Sequence, residues 1–301
     1  MSKTIEEIFE EKPYLYSMGA NTIAKRYNLD VEVVKTFKRK RVLSSTIPKK
    51  TKILILDIET APLKAYVWKR WKENISLDQT ISEWFMIAWS AKWLEEDATY
   101  SSVLTSKEIL HEDDSRIVKN LWILLDEADI IIAHNGKNFD IPKINSRFIL
   151  CGCVPPSPYK QIDTLEVVKK QFGFSSNKLD ALAIYFGFST KLETGFELWK
   201  KCMEGDKDSL LYMEKYNRYD VQLLEKVYLK LRPWIPSHPN INLYNDSTIA
   251  CTSCGSHNII KGKYYYTNRN KYQTYRCLDC GAISRVTVGA IKEKLLVPIP
   301  K

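Results

Sequence analysis

The spacing of apolar positions changes period along the chain, and the changes mark out its elements. Residues Lys52-Ile-Leu-Ile-Leu-Asp57-Ile-Glu59-Thr60 are apolar until two acids arrive one residue apart, the pattern of a buried strand that ends in charge. Phe85–Trp93 and Thr99–Leu104 read as two further strands, with Glu95-Glu-Asp97 as the turn between them. Helical spacing then takes over in 113–128, through Ile117, Leu121 and Leu124. Ile130–Ala133 is a short buried strand, 140–151 a helix, 161–165 a strand and 179–186 a helix. The longest helix spans Ser209–Leu231, with Leu210, Met213, Val221, Leu224 and Val227 on its apolar side. Three antiparallel-type strands followed by alternating helices and strands predict an α/β fold, a mixed sheet flanked by helices.

Two appendages flank this body. Asn21–Asn28 and Val31–Arg41 are predicted helices joined by Leu29-Asp30, the outline of a helix-turn-helix whose second helix carries Lys35, Lys38, Arg39, Lys40 and Arg41. A small helical extension with a solvated basic face has the same pattern. Ser44–Lys50 is a polar linker, and Pro233, Pro236 and Pro239 punctuate a second connector. The expected division is a helical module over 1–48, a central domain over 51–235 and a cysteine module over 248–290.

Charge favours a polyanionic partner. Lys and Arg number 45 against 36 Asp and Glu, a formal charge of +9. Nucleic acid is the simplest such partner. No run reaches the ~18 apolar residues of a membrane span, and the first residues lack a signal-peptide pattern. The expected setting is cytoplasmic, with no membrane partner.

The candidate chemistry lies in spaced acids. On a strand Asp57 and Glu59 share one face, a costly pairing of like charges unless a cation sits between them. Oxygen ligands of this kind suit Mg²⁺ or Mn²⁺. Asp140 follows the Ile130–Ala133 strand after a glycine turn, and Tyr216 and Asp220 lie four apart on the long helix, on one face and about 6 Å apart along its axis. Each acid also has a structural explanation: a strand end, a helix N-cap for Asp140, a turn for Asp163. Together they suit phosphodiester hydrolysis, in which two divalent ions about 3.5–4 Å apart activate water and stabilise the leaving oxygen. Thr60 and Asn135 adjoin the acids and could shape the site. Lys137 reads as exposed, either a phosphate contact or, by preference, a solvated lysine.

The ordered motifs Asp57-x-Glu59, Asn135-x3-Phe139-Asp140 and Tyr216-x3-Asp220 resemble those of the DEDD (DnaQ-like) exonuclease superfamily. The tyrosine four before the last acid matches its DEDDy branch, whereas the DEDDh branch would carry histidine where this chain has Lys215. Asp57–Pro62, Lys178–Ala183 and Tyr219–Leu224 are similar to YprB-like predicted exonucleases, including phage-encoded ones with a C-terminal zinc ribbon. The resemblance covers roughly residues 51–232. It implies a ribonuclease H-like fold and 3′–5′ exonuclease activity in a bacterial or phage-infected cell. Its site residues would be Asp57, Glu59, Asp140 and Asp220 as ligands of two Mg²⁺ or Mn²⁺ ions, with Tyr216 positioning the nucleophile. DNA is the expected substrate, with RNA as the alternative. A non-catalytic nucleic-acid binder is the competing class, and a replication or repair protein is a further partner the appendages could engage.

Cys251-x2-Cys254 and Cys277-x2-Cys280 are separated by 22 residues. Two CxxC knuckles presenting four thiolates suit one tetrahedral structural Zn²⁺, and Gly255 and Gly281 follow them as such turns need. Lys38, Arg39 and Lys40, together with Trp68 and Trp71, are the candidate nucleic-acid contacts. The tryptophans alternate with Lys69, Arg70 and Lys72, although an aromatic-rich loop also arises from core packing.

Overall fold

A computed structural model describes residues 4–12, 14–15, 18–43, 51–188, 192, 194–244, 249–267, 271–286 and 296–298. The chain opens with helices α1 (Ile5–Glu11), α2 (Ala20–Tyr27) and α3 (Val31–Leu43). They close over a small core of Ile8, Phe9, Leu15, Ile23, Ala24 and Val34. Asn28 ends α2 in the left-handed region, φ 52°, and the Asp30 side chain accepts the Glu32 and Val33 amides at the start of α3. The basic helix is therefore formed as expected, but Lys38 is turned inward. Its Nζ donates to the Met18 carbonyl oxygen at 2.7 Å, and burial holds the ammonium below its ordinary value. That withdraws Lys38 from the expected nucleic-acid face, while the side chains of Arg39 and Lys40 lie outside the described residues.

The central body begins with β1 (Ile53–Thr60). An excursion carries β2 (Lys64–Ala65) and β3 (Thr80–Ser82), and the chain re-enters the sheet at β4 (Met86–Trp93) and β5 (Thr99–Val103). Then come α4 (Ser106–Leu110), α5 (Ser115–Glu127), β6 (Ile130–Ala133), α6 (Asp140–Leu150), β7 (Lys160–Asp163), α7 (Thr164–Gln171), α8 (Leu179–Tyr185), α9 (Phe196–Met203) and α10 (Lys207–Leu231). The strand order is β5-β4-β1-β6-β7. β1 pairs antiparallel with β4 and parallel with β6, so the sheet is mixed as expected. Sequence reading runs the last strand to Leu165, but it stops at Asp163, whose carboxylate accepts the Leu165 and Glu166 amides and starts α7 there.

The two faces of β1 explain where the site lies. Leu54, Leu56 and Ile58 enter the larger core beneath α5 and α6, with Leu121, Trp122, Ile141 and Phe148. Ile53 and Ile55 face the other way, onto Val221, Leu224 and Tyr228 of α10. Each of these buried β1 side chains contributes about 1.5–3 kcal/mol. The register thus continues Asp57 and Glu59 along the α10 side. A one-residue slip would bury both carboxylates among the aromatic and aliphatic groups of α5 and α6.

Beyond α10 the connector meets a four-stranded sheet in the order β11-β10-β9-β8, where β8 is Ile259–Tyr266, β9 Lys271–Cys277, β10 Ile283–Val286 and β11 Leu296–Pro298. The connector joins this sheet to the central body by apolar and polar contacts, with Ile241 buried in one core with Ile53, Ile55 and Tyr228. Tyr228 Oη and His238 Nε2 are 2.8 Å apart, and the Ile241 amide donates to the Thr252 carbonyl oxygen at 3.0 Å. Among the described residues, no helix is long and apolar enough to cross a membrane.

Candidate active site

Asp57, Glu59 and Asp220 converge at the end of β1. Each offers a carboxylate oxygen, and these oxygens lie within 4.8 Å of one another. Helix α10 runs back along β1, so the turn carrying Tyr216, Asn217 and Asp220 meets the acids while Tyr228 packs beside Ile53 and Ile55. Asn217 was missed by sequence reading. Its Nδ2 donates to Asp57 Oδ2 at 2.6 Å, which orients that carboxylate. Its signal was available: it stands three residues before Asp220, on the same helical face.

Asp140 stands beside this trio rather than within it. It is the first residue of α6, preceded by Phe139 at the N-cap, and not itself the cap. It is almost fully buried, and Oδ1 accepts the Ile58 amide at 3.2 Å, between the two β1 acids. Burial pushes its carboxyl up to about 7, against the opposing pull of the Ile58 N–H. The turn that delivers Asp140 is held from β7. Asp163 Oδ1 and Oδ2 accept the amides of Asn135 and Lys137 at 2.9 and 3.1 Å. Asn135 adopts φ 73°, and a Cβ on Gly136 would lie 2.4 Å from the Ala133 Cβ. Asp163 is thus a turn-holding acid. Lys137 is exposed as expected and forms a surface ion pair with Glu166.

A cleft of about 940 Å³ opens over the trio. Asp57, Glu59, Tyr216 and Asp220 line it together with His134, Phe139, Asn177 and Lys178. Tyr216 is largely buried and meets Trp199 edge-on, with ring centroids 6.5 Å apart. His134, quoted in no predicted role, is held at both ring nitrogens, by Thr164 Oγ1 at 2.8 Å and the Asn177 carbonyl oxygen at 2.9 Å. A different acid shows what a structural carboxylate looks like in this fold. Asp114 is fully buried, receives a two-pronged grip from Arg147 at 2.6 and 2.7 Å, and accepts the Met86 amide. The trio instead gathers three carboxylates around one point, a donor set that fits a hard divalent cation.

The residues from 54 to 232 match the model of the RNase H superfamily. The chain belongs to that superfamily. The match covers more than half of the 301 residues and spans every strand of the mixed sheet from Leu54 onward. Members of the RNase H superfamily are typically nucleases that use divalent metal ions, so a nuclease-type activity on nucleic acid follows for this chain. No curated protein matches it.

The second metal-ligand cluster fits a different ion. Cys251, Cys254, Cys277 and Cys280 each place Sγ within 4.8 Å of the others. Two equivalent knuckles present them. Gly255 and Gly281 donate to the carbonyls of Cys251 and Cys277 at 2.9 and 3.0 Å, and the amides of Cys251 and Cys277 donate to Ser256 and Ala282 at 2.8 and 2.9 Å. Both glycines adopt positive φ, 73° and 81°. Four soft donors at this spacing fit tetrahedral Zn²⁺.

Proposed function

We propose that this protein is a 3′–5′ exonuclease of the DEDDy branch that hydrolyses DNA by a two-metal mechanism. The observation that supports this most is the convergence of Asp57, Glu59 and Asp220 in one cleft with Tyr216. In this reading the three carboxylates would hold the divalent ions, with Asp140, buried beside them under the Ile58 amide, as a further supporting acid. The ions would supply a nucleophilic water at neutral pH and charge stabilisation at the leaving oxygen. Asn217 fixes the Asp57 carboxylate before substrate arrives, so less reorganisation is left to the reaction itself. The Tyr216 hydroxyl, on the same helical face as Asp220, orients the attacking water. Phe139 and Lys178 line the cleft, where an apolar ring suits a terminal base and an ammonium suits a phosphate.

The appendages carry the substrate in this reading. The helical module over 1–48 and the ribbon over 248–290 flank the catalytic domain over 51–235. One Zn²⁺ on the four cysteines keeps the ribbon folded, and Lys261, Lys263 and Arg276 give it a basic surface. A DNA substrate agrees with the net charge of +9. The test is Mg²⁺-dependent release of nucleoside monophosphates from a labelled DNA strand by the wild-type chain and by Asp57→Ala and Asp220→Ala. The reading requires release by the wild type and its loss in both variants. Undiminished release in either variant defeats the assignment of these acids, and faster digestion of the matching RNA reverses the substrate.

A further inference from the structure

Between β1 and β4 the chain leaves the sheet and returns to it. The Ala61 amide donates to the Phe85 carbonyl oxygen at 2.8 Å and closes the base of the excursion. Its stem is the β2–β3 ribbon, with Lys64 opposite Ser82 and Ala65 opposite Thr80. The Tyr66 amide and Gln79 backbone extend the stem, and a Lys64–Glu112 ion pair at 2.8 Å ties it to the body. On the return side Lys143 of α6 lies 3.6 Å from the Trp84 ring centroid and 5.3 Å from that of Phe139, which lines the cleft. The arm is therefore anchored at the end of the strand that carries Glu59.

Its tip breaks the usual surface rule. Trp68 is 93% exposed, Trp71 82%, Leu77 88% and Tyr66 75%. Side chains of this size in one exposed group mark an interaction surface. Core packing, the other origin of an aromatic-rich loop, is ruled out at these exposures. Residues 66–72 read Tyr-Val-Trp-Lys-Arg-Trp-Lys, three cations and no acid, and Lys69, Arg70 and Lys72 are exposed. Flat π-faces alternating with cations match one chemistry well: unpaired bases on a phosphate backbone. A protein partner would account for the aromatics but not for the three cations interleaved with them and the lack of any acid in 66–72.

We infer that the 62–84 arm is a stacking platform for single-stranded nucleic acid, which it holds beside the acidic cleft. This rests on the nuclease reading of that cleft and adds a preference: the substrate presents unpaired bases. A duplex hides its base faces, so it would meet only the cations.

The test uses the full chain with zinc retained, carrying Asp220→Asn and with no Mg²⁺ added. Binding of a fluorescein-labelled oligodeoxythymidylate is followed by anisotropy and by quenching of tryptophan emission, and compared with the same strand paired to its complement. Trp68→Ala and Trp71→Ala should each weaken single-strand binding roughly 5- to 100-fold, the range for loss of one stacked base. Trp→Phe at both positions should restore most of it, and Lys69→Glu with Arg70→Glu should flatten the salt dependence by about 2 in slope. Both tryptophans are exposed, so the melting temperature should not move. Unchanged binding in the Ala variants overturns the proposal. So does equal, tryptophan-dependent binding of the duplex. If the Ala variants instead lose only self-association of the chain, the patch belongs to a second copy and the proposal is wrong. Tryptophan-dependent binding without digestion when Mg²⁺ is supplied to the wild type would leave the platform standing and defeat the nuclease reading alone.

Discussion

Among the described residues two clusters of candidate metal ligands stand out, and their surroundings differ. The acids Asp57, Glu59 and Asp220 sit on β1 and α10, elements locked by extensive apolar cores on both faces of the sheet. The four cysteines sit in a module whose buried apolar cluster consists of Cys251, Cys277 and Ala282. In the first region the scaffold holds the ligands whether or not a cation is present. In the second the ligands are most of the core, so a bound cation would support the fold. One region is organised for chemistry by packing and the other is organised for packing by chemistry.

The largest expected effect follows from the second half of that contrast. Structural zinc in small modules contributes about 10–16 kcal/mol of apparent binding free energy. Removing it, by a strong chelator or by Cys277→Ser, should expose the amides of β8, β9 and β10 to hydrogen exchange while those of β1, β4 and β6 stay protected. The wild type should hold about one zinc per chain. Ribbon amides that stay protected without metal would erase the distinction.

The acidic site should behave in the opposite way. Asp57→Asn or Asp220→Asn should cost about a thousandfold in hydrolysis, about 4 kcal/mol in the barrier. The metal-free melting temperature should hold or rise, because a like charge has been removed. Adding Mg²⁺ should raise the melting point of the wild type and not that of the variants. A variant that loses its fold instead would show that these acids are structural.

Asp114 sharpens the comparison, since its cation is supplied by the chain. Arg147→Met should destabilise by about 3 kcal/mol, because it leaves a buried charge without its partner. The double variant with Asp114→Asn should recover much of that loss in a denaturant titration. A double-variant loss equal to the sum of the Arg147→Met and Asp114→Asn losses would mean the pair is not coupled.

The sequence made the centre of the site legible because its signals are periodic. Asp57 and Glu59 follow the period of two set by Ile53 and Ile55, and Tyr216 and Asp220 follow the helical spacing of an apolar face. What it hid depended on contacts between distant elements. Asn217 shares the helical face of Asp220, but its partner Asp57 becomes evident only when α10 is laid against β1. Asp163 carries no mark that its two oxygens hold the 135–137 turn. Lys38 belongs to a run of five basic residues in the stretch 35–41, and its inward turn to Met18 follows from the packing of α3 on the segment before α2. The helix α7 is hidden because its first residues read as the end of the 161–165 strand, and only the Asp163 carboxylate capping the Leu165 and Glu166 amides turns them into a helix.

The smallest expected effect concerns an acid far from either cluster. Hydrogen bonds from the Arg116 guanidinium hold Glu108 well below the usual carboxylate range, at about 2. Its folded value lies below its unfolded one, so its contribution is present above about pH 4.5 and is lost as the pH falls toward 2. Glu108→Gln should therefore lower stability at neutral pH by on the order of 1 kcal/mol after solvent screening, with the gap from wild type closing in acid. A constant gap across that range would place the effect in packing rather than charge.

The central claim is that Asp57, Glu59 and Asp220 direct stepwise hydrolysis from a 3′ end. It is met most directly by the product ladder of a 5′-labelled DNA strand incubated with the protein and Mg²⁺. The account predicts a ladder that shortens one nucleotide at a time from the 3′ end while the label stays on the strand. Immediate release of the label as a mononucleotide, a few internal fragments, or an undigested strand would contradict it.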